Sequence, residues 1–275
     1  MHLLSLLVVN YMMRNFFYIL LIPIVFTSCS KYQQVLKSPD LEHKFEMAKK
    51  YYDEEQYFKA LPIFDELNTL YRGTAQAEEV YYYLAYTHYG LSENLVAGYH
   101  FRNFALTFPN SKRTEEMAFM NAYCYYLESP SYSLDASNTL QAINELQYFV
   151  DKYPSSNRLS ESNNLIDELR EKLEKKAYYI AKLYYDTEDY KSAIVSLKNI
   201  LIDYPDTDFS EEIYYLILDA NHLLANNSVI SKQKERWSST ISAYHKFVDK
   251  FENSEKLKNA ESIYNKANKQ LEKLK

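Results

Sequence analysis

Hydrophobic residues recur at helical spacing along most of the chain, and the stretch from Leu159 to Tyr185 shows the pattern most clearly. Its apolar residues lie three or four positions apart, which places them on one face of an α-helix. They are Leu165, Ile166, Leu169, Leu173, Ala177, Ile180, Ala181 and Tyr184. This stripe is about twice as long as the helices of most globular proteins. The sequence therefore predicts one long helix between two halves of the chain.

The helical stripes end in a similar way at five places. Each end places an aromatic residue three positions before a serine or threonine, and three of the five also contain proline. The ends are Tyr71-Arg72-Gly73-Thr74, Phe108-Pro109-Asn110-Ser111, Tyr153-Pro154-Ser155-Ser156, Tyr204-Pro205-Asp206-Thr207 and Phe251-Glu252-Asn253-Ser254. Proline stops the preceding helix, and the polar side chains after it can cap the next one. Five such ends predict five helix pairs.

Small residues recur inside these pairs. When Leu41, Glu78 and Glu174 are each counted as position 1, alanines occupy positions 8 and 20 of the first, second and fourth pairs. This spacing resembles the tetratricopeptide repeat, in which small residues let two helices approach closely. The third and fifth pairs are longer, and we expect surface loops over residues 128–136 and 226–236. The predicted packing residues are Ala48, Ala60, Ala85, Ala97, Ala122, Ala142, Ala181 and Ala193.

Composition supports an all-α fold. The three glycines, Gly73, Gly90 and Gly98, are too scattered to form a glycine-rich phosphate-binding loop. Glycine and proline are too few for a strand-and-turn architecture, whereas Lys, Glu, Leu and Ala favour helices. The sequence predicts an all-α tetratricopeptide-repeat solenoid of about five helix pairs. Units one to three occupy residues 40–154, and units four and five, with a charged capping helix over residues 255–275, occupy residues 155–275.

The N-terminal 28 residues are predicted to be a lipoprotein signal peptide. An apolar run from Phe16 to Phe26 leads through Thr27-Ser28 to Cys29, after which the sequence becomes polar. The run is shorter than the roughly 20 residues of a membrane-spanning helix and contains Pro23. We expect lipidation of Cys29 and a lipidated tether over residues 29–39. An ordinary secretory signal peptide is the alternative, and the start site is open between Met1, Met12 and Met13.

Aromatic residues concentrate at the positions of the first helices that should face a concave groove. Positions 5, 9 and 12 of the first three pairs hold eight aromatic residues and Lys49. The eight are Phe45, Tyr52, Tyr82, Tyr86, Tyr89, Phe119, Tyr123 and Tyr126. Amphipathic rings can cover an extended peptide while their hydroxyls bond to its backbone. The sequence therefore predicts a peptide-binding groove, and the alternative is that these rings only pack between repeats.

The corresponding positions of the last two pairs are more mixed, which favours different partners for the two halves. They are Lys175, Tyr178, Lys182, Tyr185, Tyr214, Ile217, Asn221 and Leu224. The single tryptophan, Trp237, is predicted either to anchor a protein contact or to brace the loop beside it. Cys124 is predicted to be a buried small hydrophobe, since lipidation of Cys29 leaves it no partner for a disulfide.

Several function classes find no support in the sequence. A net charge of −6 argues against a nucleic-acid partner, because binding phosphates requires a basic face. The histidines show no spacing typical of a zinc site, and no serine lies in a nucleophile motif, so we expect no metal, no cofactor and no catalysis. The carboxylate pairs Glu115-Glu116 and Glu211-Glu212 follow helix starts, where they favour the helix dipole.

Three features together carry a family resemblance. They are the lipoprotein cysteine, the five repeat-like pairs and the segment from Lys176 to Thr207, which contains Lys-Ala-Tyr-Tyr-Ile-Ala-Lys-Leu-Tyr-Tyr and Asp203-Tyr204-Pro205-Asp206-Thr207. With them the chain resembles the BamD family of outer-membrane assembly lipoproteins over nearly all of its mature length. The resemblance implies a non-enzymatic scaffold, held by lipid at the periplasmic face of the outer membrane.

In that family, the N-terminal units would receive the C-terminal strand signal of unfolded outer-membrane proteins. The C-terminal units would hold the central barrel subunit (BamA-like), alongside other members of the complex. Two alternatives stay open from the sequence: another tetratricopeptide lipoprotein that acts in cell division or envelope maintenance, and a glycan-binding lipoprotein of a nutrient-uptake system. A single tryptophan speaks against the glycan-binding alternative.

Overall fold

The computed structural model describes residues 31–274, and every regular element in this range is a helix. Residues 31–37 are helical, and eleven further helices follow. They are α1 (Leu41–Asp53), α2 (Tyr57–Leu70), α3 (Ala77–Gly90), α4 (Asn94–Thr107), α5 (Thr114–Leu127), α6 (Ser137–Lys152), α7 (Leu159–Asp186), α8 (Tyr190–Asp203), α9 (Ser210–Asn226), α10 (Ile230–Lys250) and α11 (Leu257–Lys273). The predicted all-α class and the five successive helix pairs are confirmed.

The chain divides into two compact units. The first contains residues 31–128 and 144–162, and the second contains residues 129–143 and 163–274. In the first unit, helices α1 to α5 each pack on the next, as the short turns between them dictate for helical hairpins. Its core contains Phe64, Ile63 and Leu67 of α2 beside Val80 and Leu84 of α3.

The second unit has its own core. Helices α8 to α11 pack on their neighbours along the chain, and α11 also reaches α9. Leu197, Ile213, Leu218 and Phe247 are buried together with Ala260 of α11. The predicted C-terminal helix is thus confirmed as a helix, and its apolar face is buried against the last pair.

All eight predicted packing alanines have an exposed fraction of zero. In both units the alanines thus lie where a larger side chain has no room. The predicted long helix is confirmed as α7, which has 28 residues. The predicted loop over residues 128–136 is also confirmed, since those residues connect α5 to α6 without helix.

Two sequence-based expectations need correction. The loop predicted over residues 226–236 is wrong, because α9 continues to Asn226 and α10 begins at Ile230. The extra residues of this pair lengthen the helices instead of the turn. Within the predicted tether, residues 31–37 are helical, Val35 is buried and the Tyr32 hydroxyl lies 3.3 Å from the Lys59 carbonyl oxygen. That part packs on the first pair, while Cys29 and the signal peptide lie outside the described residues.

Candidate peptide-binding surface

Six of the eight predicted groove residues form a partly exposed set, which we call the tyrosine row. It consists of Tyr52 on α1, Tyr82, Tyr86 and Tyr89 on α3, and Tyr123 and Tyr126 on α5. Consecutive rings touch along each helix: the centroids of Tyr82 and Tyr86 are 4.7 Å apart, and those of Tyr123 and Tyr126 are 5.7 Å apart. The row therefore gives the first unit an aromatic surface spread over three helices.

The other two predicted groove residues are core residues. Phe45 has an exposed fraction of 5% and Phe119 of 1%. Phe45 packs edge-on against Phe64, and Phe119 packs against Phe149. Position 5 of the first and third pairs therefore points between helices, unlike Tyr82 at position 5 of the second pair, and assigning Phe45 and Phe119 to the groove was wrong.

A hydrogen bond within the protein holds part of the tyrosine row in place and occupies a hydroxyl that a ligand could otherwise use. The hydroxyl of Tyr86 donates to Oε1 of Glu116 on α5. Burial and this hydrogen bond raise the pKa of Tyr86 well above its ordinary value. Tyr86 thus serves the packing of α3 on α5, and its hydroxyl is not available to a peptide.

Tyr82 and Tyr89 are better placed for binding. Burial raises the pKa of the Tyr82 hydroxyl, although the Arg113 guanidinium opposes the rise from 4.3 Å above the ring. Burial also raises the pKa of Tyr89, and Tyr123 across the row adds to it. Both phenols are therefore protonated at neutral pH; the Tyr82 hydroxyl bonds to that of Tyr86, and the Tyr89 hydroxyl can donate a hydrogen bond to a peptide carbonyl.

The turns that end the pairs contain a bond that the sequence reading missed. In four of the five turns, the hydroxyl donates to a glutamate on the first helix of the same pair and accepts from the backbone N–H two residues later. The pairs are Ser111 with Glu78 (2.7 Å), Ser156 with Glu115 (2.6 Å), Thr207 with Glu174, and Ser254 with Glu211 (2.8 Å). These bonds tie the end of a pair back to its own first helix, and the same hydroxyl accepts from the residue immediately before the next helix.

In these four turns, the residue two positions after the serine or threonine covers an aromatic ring. That ring lies four positions after the bonded glutamate, one helical turn along the same face. The contacts are Arg113 over Tyr82, Arg158 over Phe119, Phe209 stacked on Tyr178, and Lys256 over Tyr215. In the sequence, an aromatic residue follows each of these glutamates by four positions, and a serine or threonine lies at the end of the same pair. This recurring spacing was the signal that could have revealed the arrangement.

The predicted lining of the second half is largely structural. Tyr178, Ile217 and Asn221 are buried, and the hydroxyl of Tyr185 donates to Asp219. Trp237 has an exposed fraction of 2% and packs with Ala225 and Ala267. Trp237 therefore braces the last helices rather than the predicted loop, since residues 230–236 are helical, and it is not a docking anchor.

The second unit instead exposes apolar side chains on the C-terminal half of α7. They are Tyr179, Ile180, Leu183 and Tyr184, which we call the α7 face. The repeat pattern predicts Ile180 and Tyr184 as packing residues, and both are more than one third exposed. An exposed patch of this kind is typical of a protein contact.

Other chemistry is sparse over residues 31–274. No group of three or more His, Cys, Asp or Glu side chains in this range could hold a metal ion. Burial raises the pKa of the fully buried Cys124 thiol to about 12, in keeping with its predicted structural role. No helix among the described residues is long and apolar enough to cross a bilayer.

Comparison with known proteins gives one clear match. The profile of the family described as outer membrane lipoprotein, YfiO, matches residues 39–236, which is more than half of the chain. No curated protein sequence matches. Among solved structures, the TPR2A–B domains of yeast Sti1 in a complex with pHSP90 align with 80% of this chain and 95% of that chain, at 11% identity and a TM-score of 0.37. The family match extends through the tyrosine row and the α7 face, and the chain belongs to the YfiO family of outer membrane lipoproteins.

Proposed function

We propose that this chain is a lipid-anchored scaffold of the β-barrel assembly machinery, as its resemblance to the BamD family implies. Cys29 would carry the lipid, and the folded part would lie at the periplasmic face of the outer membrane. The scaffold would bring unfolded outer-membrane proteins to the central barrel subunit (BamA-like) and promote their folding and insertion. Binding, without catalysis, is the activity that the described side chains support.

The tyrosine row is the observation that carries this proposal. Partly exposed rings with protonated hydroxyls offer both apolar area and hydrogen bonds to an extended chain. Tyr82 and Tyr89 on α3 and Tyr123 on α5 are the members we expect to contact the peptide. The ligand would be the C-terminal strand segment of an unfolded outer-membrane protein, which ends in an aromatic residue.

The α7 face supports the second half of the proposal. Leu183 is 60% exposed and is flanked by the partly exposed rings of Tyr179 and Tyr184. Aromatic and aliphatic side chains together are typical of the centre of a protein interface. We expect the central barrel subunit to cover this face, and Leu183→Asp to reduce its recovery with the scaffold.

Peptide binding tests the role of the row. Full-length protein in detergent is titrated with a labelled peptide that ends in phenylalanine. Combined replacement of Tyr82, Tyr89 and Tyr123 by serine is expected to weaken binding by about tenfold or more, because each ring supplies contact area, while the helical circular dichroism signal persists. Tyr86 is retained because its bond to Glu116 supports the fold.

The matched control replaces Tyr99 and Tyr148 by serine. Both are more than half exposed, and they lie on the second helices α4 and α6 of the first unit. This control should bind as the natural chain does. Equal affinity of the row variant and the natural chain would reject the row as the binding surface.

Purification from solubilised outer membranes tests the assignment to the assembly machinery. A tagged full-length chain should recover the central barrel subunit, and the Leu183→Asp variant should recover less of it. Recovery of cell-division or envelope-maintenance proteins without any barrel subunit would favour the alternative lipoprotein role instead.

A further inference from the structure

The second unit contains a cavity of about 630 Å³ that lies beside the turn between α8 and α9. Its walls come from the N-terminal part of α6, the middle of α7 and the turn itself. Leu140, Ile143 and Leu173 supply the apolar wall. Five acidic side chains and one basic side chain supply the rest, which gives a net formal charge of −4; they are Glu171, Glu174, Asp203, Asp206, Asp208 and Arg170.

The turn aspartates are not needed to build this kind of turn. The same fold of the backbone, with its hydroxyl-to-glutamate bond, occurs at three other places in the chain. At the positions that correspond to Asp203, Asp206 and Asp208, those turns contain only one acidic residue among nine. The residues are Thr107, Asn110 and Lys112, then Lys152, Ser155 and Asn157, then Lys250, Asn253 and Glu255. The three aspartates at this turn are exposed, and the turn itself does not require them.

The acidic groups surround an aromatic ring in the wall of the cavity. Burial raises the pKa of the Tyr204 hydroxyl, and the charges of Asp203 and Glu174 raise it further, against the opposing charge of Arg170. Tyr204 therefore lies within the field of both carboxylates. A ring edged by carboxylates suits a guanidinium, which can stack on the ring face and bond to the acids.

A metal ion does not fit these groups. No set of three carboxylates in the described part of the chain converges closely enough to hold one. The acids are instead spread around a cavity large enough for more than one side chain. The apolar wall would receive the aliphatic part of the ligand, because Leu140 is half exposed there.

We infer that this cavity is a docking site for an arginine-bearing, basic segment of a protein partner. Arginine would lie on Tyr204 and pair with Asp203, while leucine-like neighbours would cover Leu140 and Ile143. The cavity and the tyrosine row share no residue, so this inference holds or fails independently of peptide binding at the row.

A pair of synthetic peptides tests the charge requirement. One is an acetylated hexapeptide that alternates leucine and arginine, and the other replaces each arginine by citrulline, which keeps the shape and removes the charge. Full-length protein in detergent should bind the arginine peptide at least about tenfold more tightly, as expected when a charge-assisted pairing is lost. Equal binding of the two peptides would overturn the inference.

Two triple variants locate the site. Asp203→Asn, Asp206→Asn and Asp208→Asn together should weaken the arginine peptide by about tenfold or more. The control changes the same amount of charge around the next turn, with Asp249→Asn, Glu252→Gln and Glu255→Gln, and should change binding by less than about twofold. Equal weakening in both variants would show only non-specific attraction to a negative chain and would overturn the site.

Calorimetric titration with calcium chloride tests whether the cavity binds a metal ion instead of a peptide. Saturable calcium binding that is lost in the Asp203, Asp206 and Asp208 variant would replace the peptide site by a metal site. No saturable calcium heat, together with arginine-peptide binding, is the result that we expect.

Discussion

Removal of one turn hydroxyl should loosen the fold of a whole helix pair. In the second pair, Oγ of Ser111 donates to Oε1 of Glu78 over 2.7 Å and accepts from the backbone N–H of Arg113 over 3.0 Å. Ser111→Ala deletes both bonds and leaves the half-buried carboxylate of Glu78 without this donor. The change thus affects the end of α4, the start of α5 and the start of α3 together.

The size of the loss follows from the two bonds. A neutral hydrogen bond contributes about 1 kcal/mol net, and one to a carboxylate contributes somewhat more. Since both groups are partly exposed, we reduce this sum and expect Ser111→Ala to lower the free energy of unfolding by about 1–2 kcal/mol. Glu78→Ala should cost a similar amount, with a coupling energy between the two changes of about 1 kcal/mol.

The first pair offers an internal control. Leu41 occupies the position of Glu78 there, and the hydroxyl of Thr74 donates to its own neighbour, the Tyr71 carbonyl oxygen, over 2.7 Å. Thr74→Ala removes no bond between helices, so we expect a loss below about 0.5 kcal/mol.

Urea denaturation of the full chain, followed by circular dichroism, measures all four variants. A coupling energy between Ser111 and Glu78 near zero would refute the reasoning, since independent effects mean that the bond contributes nothing. An equally large loss for Thr74→Ala would also refute it, because the effect would then not depend on a bond to a glutamate. The pair Ser156 and Glu115, at 2.6 Å, should reproduce the coupling.

Three further outcomes follow from the structure. Ala181→Leu should lower the free energy of unfolding by about 1–3 kcal/mol, because Ala181 is fully buried and a larger side chain forces the helices apart; an unchanged melting temperature would contradict the repeat register. Burial, with a smaller effect of His88, lowers the pKa of His100 to about 4 from an ordinary value near 6.5. As the pH falls below 6.5, the unfolded chain therefore takes up the proton before the folded chain does. The free energy of unfolding should then decrease by about 1–2 kcal/mol between pH 6.5 and pH 5, after allowance for partial exposure. In thermal melts, His100→Phe should not show this decrease. Cys29→Ser should fold normally and leave the membrane fraction, and persistent membrane attachment would identify the protein partner as the stronger anchor.

The sequence was sufficient for the elements that depend on local spacing. The long helix α7, the five pairs and the buried alanines follow from a 3.6-residue period and from the residues that stop helices. The lengthened fifth pair could not be predicted in the same way. Polar, charged residues over 226–236 suit an exposed helix face as well as a loop, so the composition of this segment does not decide between them.

The candidate site was harder to predict because ring burial depends on residues from the next pair. Phe119 and Tyr123 occupy neighbouring turns of α5, yet Phe119 is covered by the Arg158 side chain and Tyr123 is not buried. Nothing within α5 distinguishes the two positions. The difference depends on partners such as Phe149 on α6, about 30 residues later along the chain, which no local pattern reveals; a covering arginine alone does not bury a ring, since Arg113 covers Tyr82 and Tyr82 stays partly exposed.

Comparison of the internal repeats distinguishes residues that the fold requires from residues that serve binding. A feature shared by four of the five turns, such as the bonded hydroxyl and glutamate, belongs to the fold, and its loss should reduce stability wherever it occurs. A feature of one turn alone, such as aspartate at all three of positions 203, 206 and 208, is not required to build the turn, since the corresponding positions of three other turns hold one acidic residue among nine. Neutralising these aspartates should therefore leave the free energy of unfolding unchanged or raise it, while arginine-peptide binding falls. A loss of stability as large as that of Ser111→Ala would mean that the aspartates belong to the turn and not to a docking site.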